Sequence, residues 1–166
     1  GLKHHRAGQA LLLILLVMLS NQLRAQGSLI EDGIVTGKIA VVGEKDEFFF
    51  NASAGEAVHI RVVETGGDTA FTPDFWLYNP DGTLEDYAYG SNTVAALDCY
   101  SSGSCRLEQT GTYRILIQDD GNGYPGNYEI HFSRMPYANE NGPLLNNGVV
   151  TDKIALGDID SFTFKA

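Results

Sequence analysis

The chain is 166 residues long with a mass of 18.0 kDa, the length of one domain with a short excess. Hydrophobic residues at 43% exclude a disordered acidic tail. Against 21 Asp and Glu stand 11 Lys and Arg, a net charge of −10, which argues against nucleic acid as a partner, because phosphates call for a cationic stripe.

Lys3, His4, His5 and Arg6 make a basic start, and residues 10–19 (ALLLILLVML) follow without a polar side chain. A basic opening, a short apolar run and a small residue after it predict a secretory signal peptide at residues 1–25, cleaved near Ala25. Leu23 is large for the −3 place, so the bond itself is not fixed. An uncleaved anchor and a buried core helix are the competing readings. A spanning helix needs about 20 apolar residues, roughly twice this run. The expectation is therefore a secreted or cell-surface product with no membrane contact after cleavage. Losing Lys3, Arg6 and Arg24 lowers the basic count from 11 to 8 against 21 acids, so the net charge moves from −10 to −13. Such a domain stays soluble by self-repulsion and can attract divalent cations.

After Gln26 helical periodicity is absent and period-2 alternation recurs. Strands are expected at residues 34–39, 47–52, 57–64, 74–78, 93–97, 112–118 and 127–134. In 57–64, Val58, Ile60 and Val62 share one face, with His59 and Arg61 on the other. In the last two strands Tyr113, Ile115 and Ile117, then Tyr128, Ile130 and Phe132, point inward. The separators suit turns: Asn79-Pro80-Asp81-Gly82 has Pro second and Gly fourth, as a type I turn favours. Short strands of this kind, each with one apolar face, predict an antiparallel β-sandwich over residues 26–134.

Cys99 and Cys105 close a short loop, and in an exported chain a disulfide is the simplest reading. Two free thiols are the alternative; a zinc site would need two more soft ligands nearby. Asp119, Asp120 and Asn122, interleaved with Gly121 and Gly123, could offer hard oxygens to calcium, although the spacing is not that of an EF-hand and a solvated turn is the plainer account. Glu44 with Asp46, and Asp158 with Asp160, read as strand-entry turns before cation ligands. Asn51-Ala52-Ser53 is a glycosylation sequon.

The chain repeats itself. Residues 33–40 (GIVTGKIA) return as 148–155 (GVVTDKIA), and 46–52 (DEFFFNA) as 160–166 (DSFTFKA). Phe48 and Phe50 recur as Phe162 and Phe164, whereas Phe49 becomes Thr163, so the outer pair should point inward and Phe49 outward. The second copy holds two strand patterns, and two strands are marginal alone. Together with a start that is not Met, this suggests a piece of a longer tandem-domain protein. Residues 135–147, rich in Pro, Asn and Gly, read as a linker, and 148–166 as the start of a second sandwich.

In order, residues 33–52, Ala54-Gly55-Glu56, the Val58-Ile60-Val62 strand, Asp74-Phe75-Trp76-Leu77-Tyr78, Pro80-Asp81-Gly82-Thr83, Gly111-Thr112-Tyr113 and Gly126-Asn127-Tyr128 resemble the bacterial pre-peptidase C-terminal domain family. The match covers about residues 30–134, and its opening recurs at 148–166. The resemblance implies a jelly-roll-like β-sandwich accessory domain of secreted bacterial proteins. Members often sit beside peptidase or other hydrolase domains, and some relatives bind collagen or polysaccharide, with calcium in some cases. Here the domain follows the leader directly, which speaks against a part in propeptide processing.

No catalytic constellation stands out. There is no Gly-x-Ser-x-Gly elbow and no His-Glu-x-x-His helix, and His59 and His131 fall at outward strand positions, where a solvated histidine is expected. The remaining chemistry is aromatic: Trp76 with Tyr78, Tyr87, Tyr89 and Tyr100. Tyr87 and Tyr89 lie in what reads as a long loop, and Trp76 in a strand whose two faces are both apolar. Loop packing for the tyrosines and core packing for Trp76 compete with a ligand-stacking role. The expectation is a non-catalytic accessory or adhesion module that binds extracellular polysaccharide or protein matrix through Trp76, Tyr87 and Tyr89, alongside adjacent domains of its own chain. The alternatives are the non-catalytic front of a secreted hydrolase, and a structural spacer in a tandem array.

Overall fold

The computed structural model describes residues 23–29, 33–97, 106–135 and 148–151. The strands are β1 Leu23–Ser28, β2 Gly33–Ile39, β3 Lys45–Ala52, β4 Ala57–Gly67, β5 Pro73–Tyr78, β6 Leu84–Ala88, β7 Val94–Leu97, β8 Gly111–Asp119 and β9 Gly126–Met135. One sheet has the order β1-β3-β8-β5-β6 and the other β2-β9-β4-β7. The fold is a β-sandwich whose sheets are antiparallel except for β1 against β3.

Period-2 patterning builds the interior. Phe48, Phe50, Phe75, Leu77, Tyr113, Ile115 and Ile117 come from the first sheet, and Val58, Ile60, Val62, Tyr128, Ile130 and Phe132 from the second. Phe50 stacks on Tyr113 at 5.4 Å and tilts against Phe132 at 4.8 Å. Phe49, between the two buried phenylalanines, is only half-buried. Tyr128 lies over Gly37, where any Cβ would come within 2.3 Å of the ring, and donates its hydroxyl to the buried Asp46 at 2.6 Å. Tyr113 ties its own strand to the preceding turn: its hydroxyl donates to the Gln109 carbonyl at 2.9 Å and accepts from the Gln109 amide at 3.0 Å. This is the kind of corner that fixes where a strand enters a sandwich.

The β5–β6 turn is the one anticipated: the Gly82 amide donates to the Asn79 carbonyl, and Gly82 takes a φ of +85°. Other expectations are corrected. β1 was not anticipated; its LRAQGS sequence lacks alternation, and it runs across the expected cleavage point at Ala25. Residues 84–88 form an edge strand, so Tyr87 lies on a sheet and not in a loop. Asp119 is the last residue of β8 and is buried, where a solvated turn was expected. His131 does face outward from the sandwich, opposite Ile34 and Arg61 on the flanking strands, but it is only 5% exposed. Cys99, Cys105, the leader up to residue 22, residues 136–147 and the second copy beyond residue 151 lie outside the described residues.

Candidate functional site: an aromatic surface on the five-stranded sheet

Because Phe75 and Leu77 are committed to the core, the alternate residues of β5, Asp74, Trp76 and Tyr78, face out from the first sheet. Register then decides their neighbours. Trp76 stands opposite Tyr87 on β6 and Leu116 on β8; Tyr78 stands opposite Leu84 and Arg114. Tyr89, one step beyond the end of β6, keeps the parity of Tyr87. Its ring meets Tyr87 at 4.9 Å and Trp76 edge-on at 6.2 Å. The three aromatic residues singled out in the sequence therefore form one cluster. Tyr87 is 48% exposed and Tyr89 62%, while Trp76 between them is half-buried.

The surroundings are largely apolar. Arg114 lies over the Tyr78 ring at 4.1 Å and pairs with Glu47 on β3, so its charge is met on both sides. Leu84 and the half-buried Leu116 complete the face. Edge-to-face rings of this kind present π-faces and C–H edges to whatever lies on them. Leu116 and Arg114 were not singled out in the sequence, whereas Tyr78 was. The signal was available in the period of two along β5, but the pairing with β8 requires the register.

The Asp119–Gly123 loop is held by its own carboxylate. Asp119 Oδ1 accepts the Thr72 amide at 2.9 Å, and Oδ2 accepts the Gly123 and Tyr124 amides at 2.7 and 2.9 Å. Asp120 is exposed, and Asn122 adopts a φ of 56° with its Oδ1 buried and without a hydrogen-bond partner. Among the described residues no group of three or more His, Cys, Asp or Glu is placed to hold a metal ion. Glu44 and Asp46 are likewise engaged: Glu44 Oε2 accepts the amides of Ala40 and Val41, and Asp46 accepts from Tyr128. On the outer face of the second sheet His131 Nε2 lies 3.4 Å from Glu129 Oε2, and Ser133 stands opposite His59.

Beside the aromatic cluster, Asp74 is 2% exposed and accepts the Gly90 amide at 2.7 Å. Burial, and then the neighbouring charges of Asp120 and Asp119, push its carboxyl above the ordinary range, more than the Gly90 bond lowers it. Asp81 in the β5–β6 turn goes the other way, lowered by the Thr83 hydroxyl and amide and by Gln109.

No family model matches the chain, and no curated protein matches it. Among solved structures, the chain is similar to the pre-peptidase C-terminal domain of a collagenase from Bacillus anthracis. The identity is 14%, over 68% of this chain and 96% of that one, with a TM-score of 0.49. It is also similar to a periplasmic inhibitor of g-type lysozyme from Aeromonas hydrophila, at 13% identity over 69% and 98% of the two chains, with a TM-score of 0.46. Both likenesses are distant, and the assignment of a sandwich rests on the sheets described above. Among the described residues no helix is long and apolar enough to cross a membrane.

Proposed function

We propose that the chain is a non-catalytic accessory or adhesion module of an exported protein, holding a matrix polymer on the aromatic surface of its five-stranded sheet. The convergence of Trp76, Tyr87 and Tyr89 on one exposed face carries this reading. Large exposed aromatic clusters mark binding surfaces, since leaving rings in water forgoes the burial that stabilises them elsewhere. The acidic chain repels polyanions at ordinary salt, so the free energy must come from ring stacking and hydrogen bonds. The test is retention of the purified full chain on collagen and on insoluble polysaccharides. The wild type is retained on one of them, and Tyr87→Ala with Tyr89→Ala is released while its circular dichroism stays that of a folded β protein. No retention of folded wild type on any polymer removes the reading.

A spacer in a tandem array is the second reading, favoured by the repeat. Leu29, ahead of β2, packs in the core and its amide donates to the Phe49 carbonyl at 3.0 Å. Residues 27–33 (GSLIEDG) have a looser counterpart in 142–148 (GPLLNNG), which adds to the repeat read at 148–166. Calcium is part of the proposal only through Asp120 and Asn122, because Asp119 is engaged by three amides. A melting temperature raised by millimolar calcium over chelator supports that site, and identical curves remove it.

A further inference from the structure

We propose that Asp74 is a positioning residue that seats Tyr89 on the aromatic surface by holding down the backbone of the β6–β7 connection; as a role in binding, this rests on the function proposed above. β6 pairs with β5 only as far as Ala88 opposite Phe75. Beyond that point the two strands part, and Tyr89 is carried on a connection held by other means. Ser91 bridges to Val94 and the Glu64 amide donates to the Thr93 carbonyl further along the connection, and two contacts hold Gly90, next to Tyr89. The Gly90 amide donates to Asp74 Oδ1 at 2.7 Å, and Gly90 lies so close to the start of β5 that a Cβ there would sit 2.5 Å from the Pro73 carbonyl oxygen and 2.5 Å from Thr72 Cγ2. Asp74 belongs to the same outward row of β5 as Trp76, two residues before it, yet it is 2% exposed. Tyr89 is thus anchored through its neighbour's amide, its ring remaining 62% exposed and edge-on to Trp76. Ordering such a ring before a ligand arrives removes part of the entropy cost of binding.

Trp76 is the only tryptophan of the chain, so its emission reports the seat of Tyr89 with no ligand present. Three variants of the full chain separate the contributions. Asp74→Ala removes the acceptor, Gly90→Ala wedges the backbone away from Pro73, and Asp74→Asn keeps an oxygen acceptor of the same reach. The expected result is a red-shifted Trp76 emission and faster acrylamide quenching in Asp74→Ala and Gly90→Ala. Wild-type emission returns in Asp74→Asn, and all three keep folded circular dichroism. On a polymer that retains the wild type, Asp74→Ala and Gly90→Ala lose retention as Tyr89→Ala does, and Asp74→Asn keeps it. Wild-type emission and quenching in folded Asp74→Ala or Gly90→Ala overturns the proposal. Altered emission in Asp74→Asn equal to that in Asp74→Ala overturns it too, since the acceptor would then not be what matters. Should Asp74→Ala fail to fold, Gly90→Ala and Asp74→Asn carry the same decision. Failure of every polymer to bind wild type sinks the binding reading alone, because the emission result is obtained without ligand.

Discussion

At the scale of single residues, the three consecutive phenylalanines of β3 divide as the repeat indicates. Phe50→Ala removes a ring stacked between Tyr113 and Phe132 and should cost about 3–5 kcal/mol. Phe49→Ala, on the half-buried outer face, should cost roughly 1 kcal/mol. Chemical denaturation of the two variants checks the difference, and equal losses would contradict the register of β3. Asp74 gives a pH prediction of definite sign. Its folded carboxyl is raised above the ordinary 3.8, so its contribution to stability is fully present below that value and is lost as pH rises through the raised one. Asp74→Asn should therefore melt higher than wild type at neutral pH, with the gap closing as pH falls to 3.8. A gap that widens on acidification would contradict it. The phenylalanine faces were legible because two copies of one pattern could be compared. The face of Trp76 was not, because Phe75, Trp76, Leu77 and Tyr78 are apolar on both sides and only the identity of the opposing strands chooses between them.

At the scale of elements, the loops at one end of the sandwich are set by buried carboxylates. Asp119 holds Thr72, Gly123 and Tyr124 together across two connections. Asp119→Ala leaves those amides to find water and should cost roughly 2–3 kcal/mol, read from the denaturant midpoint at unchanged m-value. A loss within experimental error would mean the loop stands without it. The sequence Asp-Asp-Gly-Asn-Gly looks like a solvated turn, since composition cannot tell which aspartate still belongs to the strand. β6 was hidden for a related reason. Its LEDYA sequence lacks two apolar alternations, as suits an edge strand, and the Tyr87 amide is satisfied by Asp86 Oδ1 at 2.8 Å. That bond spends a main-chain donor on a side chain and so blunts pairing with another chain. His131 shows a further limit: periodicity gave its face correctly, but not its burial between two flanking strands.

At the scale of the whole molecule, the sandwich was legible from strand count, alternation and turn chemistry, while the pairing of β1 with β3 and the assembly of the aromatic surface were not, because both depend on contacts between distant segments. The export proposed above carries its own prediction. Under the proposed export, Cys99 and Cys105 should form a disulfide, stabilising by about 2–3 kcal/mol for so short a loop. Intact mass before and after reduction reads it, and alkylation of both thiols without reductant would count against it. The central claim is that the outer face around Trp76 is where a polymer is held. The most direct measurement is the emission of Trp76 in the full chain, titrated with soluble fragments of whichever polymer retains the protein. The account predicts a saturable change in intensity and wavelength that disappears in the Tyr87→Ala, Tyr89→Ala double variant. Retention on the polymer with Trp76 emission unchanged at saturation would place the binding elsewhere and contradict it.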